Sequence, residues 1–147
     1  MSNPKSTASV AGHPLHAMLV PFPIAFYAGT FLADLVYGGT ANPFWAQMAF
    51  WLLTAGFAMS LLASLLGFID FVGEPAIRAL QVAWLHFLGN ALIGLISAVD
   101  LYLRYVSGAE AGSHAYVWLS GLVVLILLFT GWLGGQMVYR HRVGIAD

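Results

Sequence analysis

Long apolar stretches alternate with short polar or glycine-rich links along almost the whole chain. Four such stretches can be delimited, at residues 15–37, 44–71, 79–106 and 116–139. Each exceeds the roughly 20 residues that a helix needs to cross a hydrocarbon core of about 30 Å. The links are rich in Gly, Pro, Asn and Ser, which end helices and favour turns. The pattern therefore predicts four membrane-spanning helices.

Short links place successive helices antiparallel, so we expect an all-α, integral membrane four-helix up-down-up-down bundle forming a single domain over residues 1–147. The composition agrees, since 61% of the residues are hydrophobic and only 7% are charged. The chain has no cysteine, which excludes disulfides, thiolate-bound zinc and iron–sulfur clusters. The nearly balanced charges, without a basic run, argue against a nucleic-acid partner.

The few cations are unevenly distributed between the two ends of the expected bundle. Lys5, Arg78, Arg140 and Arg142 fall at one end, and only Arg104 falls at the other. Cytoplasmic segments of membrane proteins carry an excess of Lys and Arg. We therefore expect a multi-pass protein with both termini in the cytoplasm.

Most of the polar side chains share the cytoplasmic end of this topology, including four of the five histidines. The group consists of His13, His16, Asp70, Glu74, His86, Asn90, Gln136, Tyr139, Arg140 and His141.

Two spans also carry a polar stripe at spacings of three and four, which keeps side chains on one helix face. The stripes are His16, Pro23, Tyr27, Thr30 and Asp34 on the first span, interrupted by Val20, and His86, Asn90, Ser97, Asp100 and Arg104 on the third, interrupted by Ile93. Because charges facing lipid are costly, we expect the stripes to turn toward each other inside the bundle.

At the outer end of these stripes, Asp34, Asp100 and Arg104 have two interpretations. A structural ion-pair clamp, Asp34–Arg104–Asp100, explains them by the tendency of membrane carboxylates to pair. A proton path along the two stripes is the functional alternative.

The entry to the first span also has two interpretations. Pro14 suits the first position of a helix, with His13 as its cap. Pro21 and Pro23 instead favour a short broken turn, with the regular helix beginning near one of them.

The chain resembles the bacterial membrane proteins grouped as domain of unknown function 2231. The residues that carry the resemblance are His13-Pro14-Leu15-His16, Pro21-Phe22-Pro23-Ile24, Asp34, His86, Asn90 and the closing segment Gly134 to Gly144. The resemblance implies a four-helix domain in the bacterial inner membrane. Its relatives occur fused to or beside Rieske-type or cytochrome domains, which implies redox work without an established activity.

The first functional hypothesis is a redox or metal-binding bundle. Haem b needs axial histidines, for which His16 and His86 are the candidates, with His13 and His141 nearby. Asn90, Tyr139, Arg140 and Arg78 supply hydrogen-bonding or cationic groups for such a cofactor. A non-haem zinc, copper or iron site drawn from His13, His16, His86 and His141, with Asp70 or Glu74, is the alternative within this class.

Two further hypotheses belong to other classes. One is a non-catalytic membrane subunit or assembly protein whose histidines are satisfied structurally, and the other is the proton or small-ion conduit. No catalytic residue can be assigned from the sequence. The expected partners are the lipid bilayer, a redox partner protein or quinone, and a second copy of the chain packed through its glycine faces.

Overall fold

The computed structural model describes residues 3–111 and 113–145 and contains four long apolar helices. Its helices are α1 (Leu15–Leu19), α2 (Pro21–Thr40), α3 (Pro43–Gly73), α4 (Pro75–Arg78), α5 (Gln81–Ser107) and α6 (Ser113–Tyr139). Two short strands, β1 (Ser9–Val10) and β2 (His13–Pro14), precede them. The all-α four-helix membrane fold is confirmed. The prediction of one domain over residues 1–147 includes residues 1, 2, 112, 146 and 147, which lie outside the described residues.

The long helices form a closed ring. Helix α2 packs against α3, α3 against α5, α5 against α6, and α6 returns to α2. Helices α2 and α5 therefore face each other diagonally across the axis of the bundle. This arrangement brings the first and third spans together at the centre, as their polar stripes predict.

The short link between α2 and α3 is defined by local chemistry. Ala41 adopts a left-handed conformation with φ of 51° and ends α2 by donating its N–H to the Tyr37 carbonyl at 2.8 Å. Asn42 then caps α3 by accepting a hydrogen bond from the Phe44 N–H at 3.1 Å. Pro43 occupies the first position of α3, where no N–H is needed. Three successive residues thus end one span and start the next.

The entry to the first span is broken. Helix α1 ends at Leu19 and α2 begins at Pro21, while Val20 keeps helical dihedrals and donates its N–H to the His16 carbonyl at 3.1 Å. Pro21 and Pro23 have no N–H to continue the ladder of hydrogen bonds. The regular helix therefore begins at Pro21, as the second interpretation of the entry predicts.

The first interpretation, with Pro14 at the first helical position, is wrong. Pro14 has an extended ψ of 116° and serves as the residue that precedes α1. His13 lies one residue earlier, in β2, where it pairs with Val10 of β1. The positive φ values of Ala11 (49°) and Gly12 (80°) form the tight turn of this hairpin.

The two ends of the described chain meet at one end of the bundle, called here the histidine end because it contains His16 and His86. The Gly144 N–H donates to the Pro4 carbonyl at 2.8 Å, and the Leu15 N–H donates to the Ala8 carbonyl at 2.9 Å. The segment before α1 and the segment after α6 therefore cover the same surface. Both lie on one side of the membrane that the four helices would span.

Candidate functional site

His16 and His86 meet across the axis of the bundle. Their ring centroids are 6.3 Å apart, and the ring planes are inclined at 88°. His16 is carried by α1 and His86 by α5, and both side chains are half-buried. The structure thus brings together the two histidines that the sequence identifies as axial ligand candidates.

Each of these imidazoles is oriented by a carbonyl group of a neighbouring helix. His16 Nδ1 lies 2.7 Å from the Ala63 carbonyl oxygen on α3, and His86 Nδ1 lies 2.9 Å from the Thr130 carbonyl oxygen on α6. A carbonyl oxygen only accepts, so Nδ1 carries the proton in both rings. In the neutral form Nε2 then holds a lone pair, and neither Nε2 has a hydrogen-bond partner among residues 3–111 and 113–145.

Two glycines make room for the rings. A Cβ at Gly67 on α3 would lie 2.9 Å from His16 Nδ1, and a Cβ at Gly134 on α6 would lie 3.2 Å from His86 Cε1. The first distance is a clash and the second is unusually tight. Both imidazoles therefore lie directly against helix backbone, which is what allows each Nδ1 to reach its carbonyl partner.

The predicted metal set of His13, His16, His86, Asp70 and Glu74 does not come together. No group of three or more His, Asp or Glu side chains suited to a metal ion is found in the described part of the chain. His13 is exposed on the hairpin, with Nδ1 3.0 Å from the Ala11 carbonyl oxygen. His16 and His86 remain as a pair.

Asp70 and Glu74 have structural partners instead. Asp70 accepts hydrogen bonds from the Ser6 hydroxyl at 2.9 and 3.0 Å and from the Ala8 N–H at 2.7 Å. It thereby holds the N-terminal segment against the end of α3. Glu74 caps α4 through the Ala76 N–H at 3.1 Å.

The remaining predicted residues surround the histidine end without joining the ring pair. Tyr139 is 87% exposed and Arg140 is exposed, while His141 is half-buried and donates its backbone N–H to the Gln136 carbonyl. Asn90 donates to the His86 carbonyl oxygen at 2.8 Å, which is the backbone and not the imidazole. Arg78 donates to the Val72 carbonyl and thus caps the end of α3.

Asp34, Asp100 and Arg104 define the opposite end of the interior, called here the ion-pair end. Arg104 NH1 and NH2 donate to the two oxygens of Asp34 at 2.8 and 2.7 Å, and Arg104 Nε donates to Asp100 Oδ1 at 2.9 Å. The guanidinium carbon lies 4.4 Å from the centre of the Tyr116 ring. The side chain of Arg104 has no exposed surface. The predicted ion-pair clamp is confirmed.

An apolar layer lies near the middle of the bundle. Tyr27, Leu53, Ile93 and Val123, one residue from each long helix, are buried against one another. Ile93 interrupts the polar stripe of α5 between Asn90 and Ser97. The polar stripe of α5 is therefore interrupted at this layer, whereas on α2 the layer contains Tyr27, whose hydroxyl donates to Ser60 at 3.0 Å.

Sequence reasoning missed the groups that position the two imidazoles. The acceptors are the backbone carbonyls of Ala63 and Thr130, and the type of a residue does not predict whether its carbonyl will accept such a hydrogen bond. Gly67 and Gly134 are visible in the sequence, but glycine in a membrane helix usually indicates close helix packing. Only the fold shows that imidazole rings lie against these two glycines.

These features define a class of protein, an integral membrane four-helix bundle with a histidine pair at one end of its interior. The chain belongs to the family described as predicted membrane protein, domain of unknown function 2231 (DUF2231), which it matches over residues 12–147. Comparison with curated proteins and with solved structures finds no match.

Proposed function

We propose that the protein is a membrane redox protein that binds haem b between His16 and His86. The observation that carries the proposal is the pair of imidazoles, each held through Nδ1–H by a carbonyl group and each with an Nε2 lone pair. Histidines that ligate metals characteristically donate their other ring N–H to a carbonyl or carboxylate group, which fixes the tautomer and the ring orientation.

The separation of the two rings would allow His16 and His86 to hold one metal centre between them. A metal–nitrogen bond of about 2.0–2.1 Å puts the centre of a ligating imidazole about 3 Å from the metal. Two imidazoles that bind the same metal therefore have ring centres no more than about 6 Å apart. The observed 6.3 Å is close to this limit, so His16 and His86 would be able to hold one metal centre, such as the iron of a haem.

A bound haem supplies one-electron chemistry, and the protein supplies ligands, orientation and an apolar surrounding. Because each Nδ1–H is donated to a carbonyl group, each Nε2 would be a stronger electron donor toward a bound metal. The helix backbones at Gly67 and Gly134 lie directly against the two rings. The apolar layer of Tyr27, Leu53, Ile93 and Val123 separates this site from the other end of the bundle.

One site at one end suits electron exchange on a single side of the membrane. A quinone in the bilayer or a redox protein docked at the histidine end are the expected partners. Transfer across the whole membrane by haem would need a second site, and the ion-pair end holds no histidine among the described residues of its cluster.

We also propose that the histidine end faces the cytoplasm of a bacterial cell, in the inner membrane. Four of the five Lys and Arg residues lie at this end, and the fifth, Arg104, is neutralised by ion pairs. This bias follows the distribution of cations found in inner-membrane proteins.

Because the chain has no cysteine, single cysteines introduced at Lys5 and at Glu110 test the topology through labelling of intact cells. Lys5→Cys should resist a membrane-impermeant maleimide and Glu110→Cys should react, and the opposite result would reverse the proposed orientation.

The test of haem binding is an absorption spectrum of the detergent-purified chain, oxidised and reduced, with elemental analysis of the same sample. Expression is carried out with a haem precursor and with zinc, copper and iron supplied. We expect a Soret band, sharpened bands on reduction, and one haem per chain. His16→Ala and His86→Ala should each lose the haem, and added imidazole should restore part of the spectrum.

Matched controls separate this site from the other histidines. His13→Ala and His114→Ala should keep full haem occupancy, since His13 is exposed and His114 lies outside the histidine end. A colourless protein with one metal ion, lost in both the His16 and His86 variants, would assign the site to a metal ion instead of haem. A chain with neither haem nor metal would overturn the proposal and leave the structural subunit as the better explanation.

A further inference from the structure

Helix α1, which carries His16, is weakly held by its own contacts. It comprises only Leu15–Leu19, and none of these residues is fully buried. A helix this short has little stability of its own. Pro14 provides no side-chain cap before it, and Pro21 and Pro23 have no N–H to donate back to it. The position of α1, and of His16 with it, therefore depends on other parts of the chain.

The N-terminal segment, residues 3–14, supplies the contact at the start of α1. The Leu15 N–H, at the first position of the helix, donates to the Ala8 carbonyl at 2.9 Å. The two short strands pair between these residues, which closes the chain into a compact hairpin. Ala8 is itself buried, and its N–H donates to Asp70 Oδ1 at 2.7 Å. Ala8 thus connects the start of α1 to a carboxylate on α3.

One face of α3 contacts both the His16 ring and the N-terminal segment. Four residues of α3 recur at spacings of four and three, which places them on the same side of the helix, namely Ala63, Gly67, Asp70 and Gly73. The first two contact the His16 ring, one through its carbonyl oxygen and the other through its backbone. The other two contact the N-terminal segment. Asp70 accepts its hydrogen bonds, and Gly73 lies so close to the Thr7 side chain that a Cβ would overlap it.

We propose that Asp70 is a positioning residue for His16, which it holds opposite His86 through the N-terminal segment and α1. Without the hydrogen bonds to Asp70, the segment separates from α3 and the start of α1 is no longer fixed. His16 then leaves the Ala63 carbonyl, whereas His86, within the 27-residue helix α5, keeps its own partner. The inference rests on the proposed function for its consequence, because a pair fixed in advance is a preformed ligand set. Its geometry is tested in a chain without any cofactor.

Nitrogen-15 NMR of the full-length chain in lipid tests the role of Asp70, because the chemical shift of a ring nitrogen shows whether that nitrogen is protonated. The chain is labelled at histidine, prepared without haem or metal, and measured at alkaline pH, where imidazoles are neutral. His16→Ala and His86→Ala assign the signals. In the wild type, both rings should be protonated at Nδ1 alone, because a carbonyl partner fixes each tautomer. In Asp70→Ala, His16 should change to a mixture of both tautomers, while His86 keeps its single tautomer.

Three further variants distinguish positioning from a general effect on the fold. Glu74→Ala is the matched control, because Glu74 is a carboxylate at the same end that caps α4, and it should leave both imidazoles unchanged. Asp70→Asn keeps the shape and one acceptor oxygen of the side chain, so it should return most of the His16 signal to the Nδ1 tautomer. Ser6→Ala removes the hydroxyl donor and leaves the backbone donor, so it should give a smaller share of the second tautomer than Asp70→Ala.

A single tautomer at His16 in both Asp70→Ala and Ser6→Ala would overturn the proposal. Equal changes at His16 and His86 would also overturn it, because they would indicate a general loss of structure. If Asp70→Ala does not fold, Ser6→Ala decides by the same criterion. A selective change at His16 in a chain that binds no haem would support this inference and contradict only the proposed function. An unchanged His16 in a haem-binding chain would contradict only this inference.

Discussion

The histidine end and the ion-pair end both bring the first span and α5 together across the axis of the bundle. They differ in how completely their polar groups are hydrogen-bonded. At the ion-pair end, Arg104 makes four hydrogen bonds to two carboxyls and is fully enclosed. At the histidine end, each half-buried imidazole makes one hydrogen bond and keeps a nitrogen lone pair. The first arrangement holds helices together, whereas the second leaves coordinating capacity for a ligand.

The difference follows from the cost of burying charge. A guanidinium inside a membrane protein is stable only when hydrogen bonds satisfy it, which ties Arg104 to its two partners. A neutral imidazole costs much less to bury, so His16 and His86 can each keep one nitrogen unpaired. Both sites contain ionisable residues of the same two stripes, and only the contacts distinguish a clamp from a candidate cofactor site.

The largest expected effect comes from removing the cation of the ion-pair end. Arg104→Ala leaves Asp34 and Asp100 buried without a partner and should reduce the free energy of unfolding by about 3–5 kcal/mol. Denaturant titration in detergent, followed by circular dichroism, measures this change. Arg140→Ala removes an exposed cation at the other end and should change stability by less than about 0.5 kcal/mol. Equal effects of the two substitutions would contradict a structural role for the clamp.

A smaller effect is expected from filling the space beside the imidazoles. Gly67→Ala places a Cβ 2.9 Å from His16 Nδ1, so the ring must move and its hydrogen bond to Ala63 must lengthen. Overpacking of this kind should cost about 1–3 kcal/mol and should lower cofactor occupancy. Gly134→Ala, with its closest contact at 3.2 Å, should have a weaker effect in the same direction.

Gly131→Ala is the matched control for these two substitutions, because nothing lies within 4 Å of its added Cβ. It should leave occupancy unchanged and raise stability by up to about 1 kcal/mol through the higher helix propensity of alanine. Unfolding curves and haem content of the three variants give the comparison. Full occupancy in Gly67→Ala would mean that contact with helix backbone does not position His16.

The smallest effect is expected where the end of the chain closes over the histidine end. Arg142 has a φ of 56°, a left-handed conformation that costs a residue with a Cβ about 1–2 kcal/mol relative to the right-handed one. Arg142→Gly relieves this strain but makes the unfolded chain more flexible, so the net gain should be below about 1 kcal/mol. Thermal unfolding measures it, and Arg140→Gly, near the end of α6, should be neutral or destabilising. A loss of stability in Arg142→Gly would show that the Arg142 side chain contributes contacts that outweigh the strain.

Sequence patterns were sufficient to predict the four long helices, because an apolar run of this length has few other ways to satisfy its backbone hydrogen bonds in a bilayer. The spacing of polar residues by three and four also predicted that the first and third spans face each other. It predicted the partners Asp34, Asp100 and Arg104, since three charges on two facing stripes have no other counterions nearby. These successes share one cause, the high cost of exposing charge to lipid.

The predicted metal-binding set shows what the spacing of residues along the sequence could not predict. His13, Asp70 and Glu74 lie at the histidine end, as the sequence predicts. Residues at the same depth in the membrane, however, are not necessarily in contact with one another. The hairpin turns His13 outward, Asp70 binds Ser6 and Ala8, and Glu74 caps a four-residue helix. Each of these outcomes depends on local backbone geometry that residue type does not encode.

By itself, the sequence determined the class of protein, the number of spans and the end of the bundle at which polar chemistry collects, because hydropathy and helical periodicity act through the free energy of transfer to lipid. Only the tertiary structure decided which histidines meet, which nitrogen of each imidazole carries the proton, and which carboxyls are already paired. Those properties depend on distances of 3 Å or less between groups that are far apart in the sequence, such as each imidazole and its carbonyl partner, or the Ala8 N–H and the Asp70 carboxylate. Such distances exist only once the helices have packed.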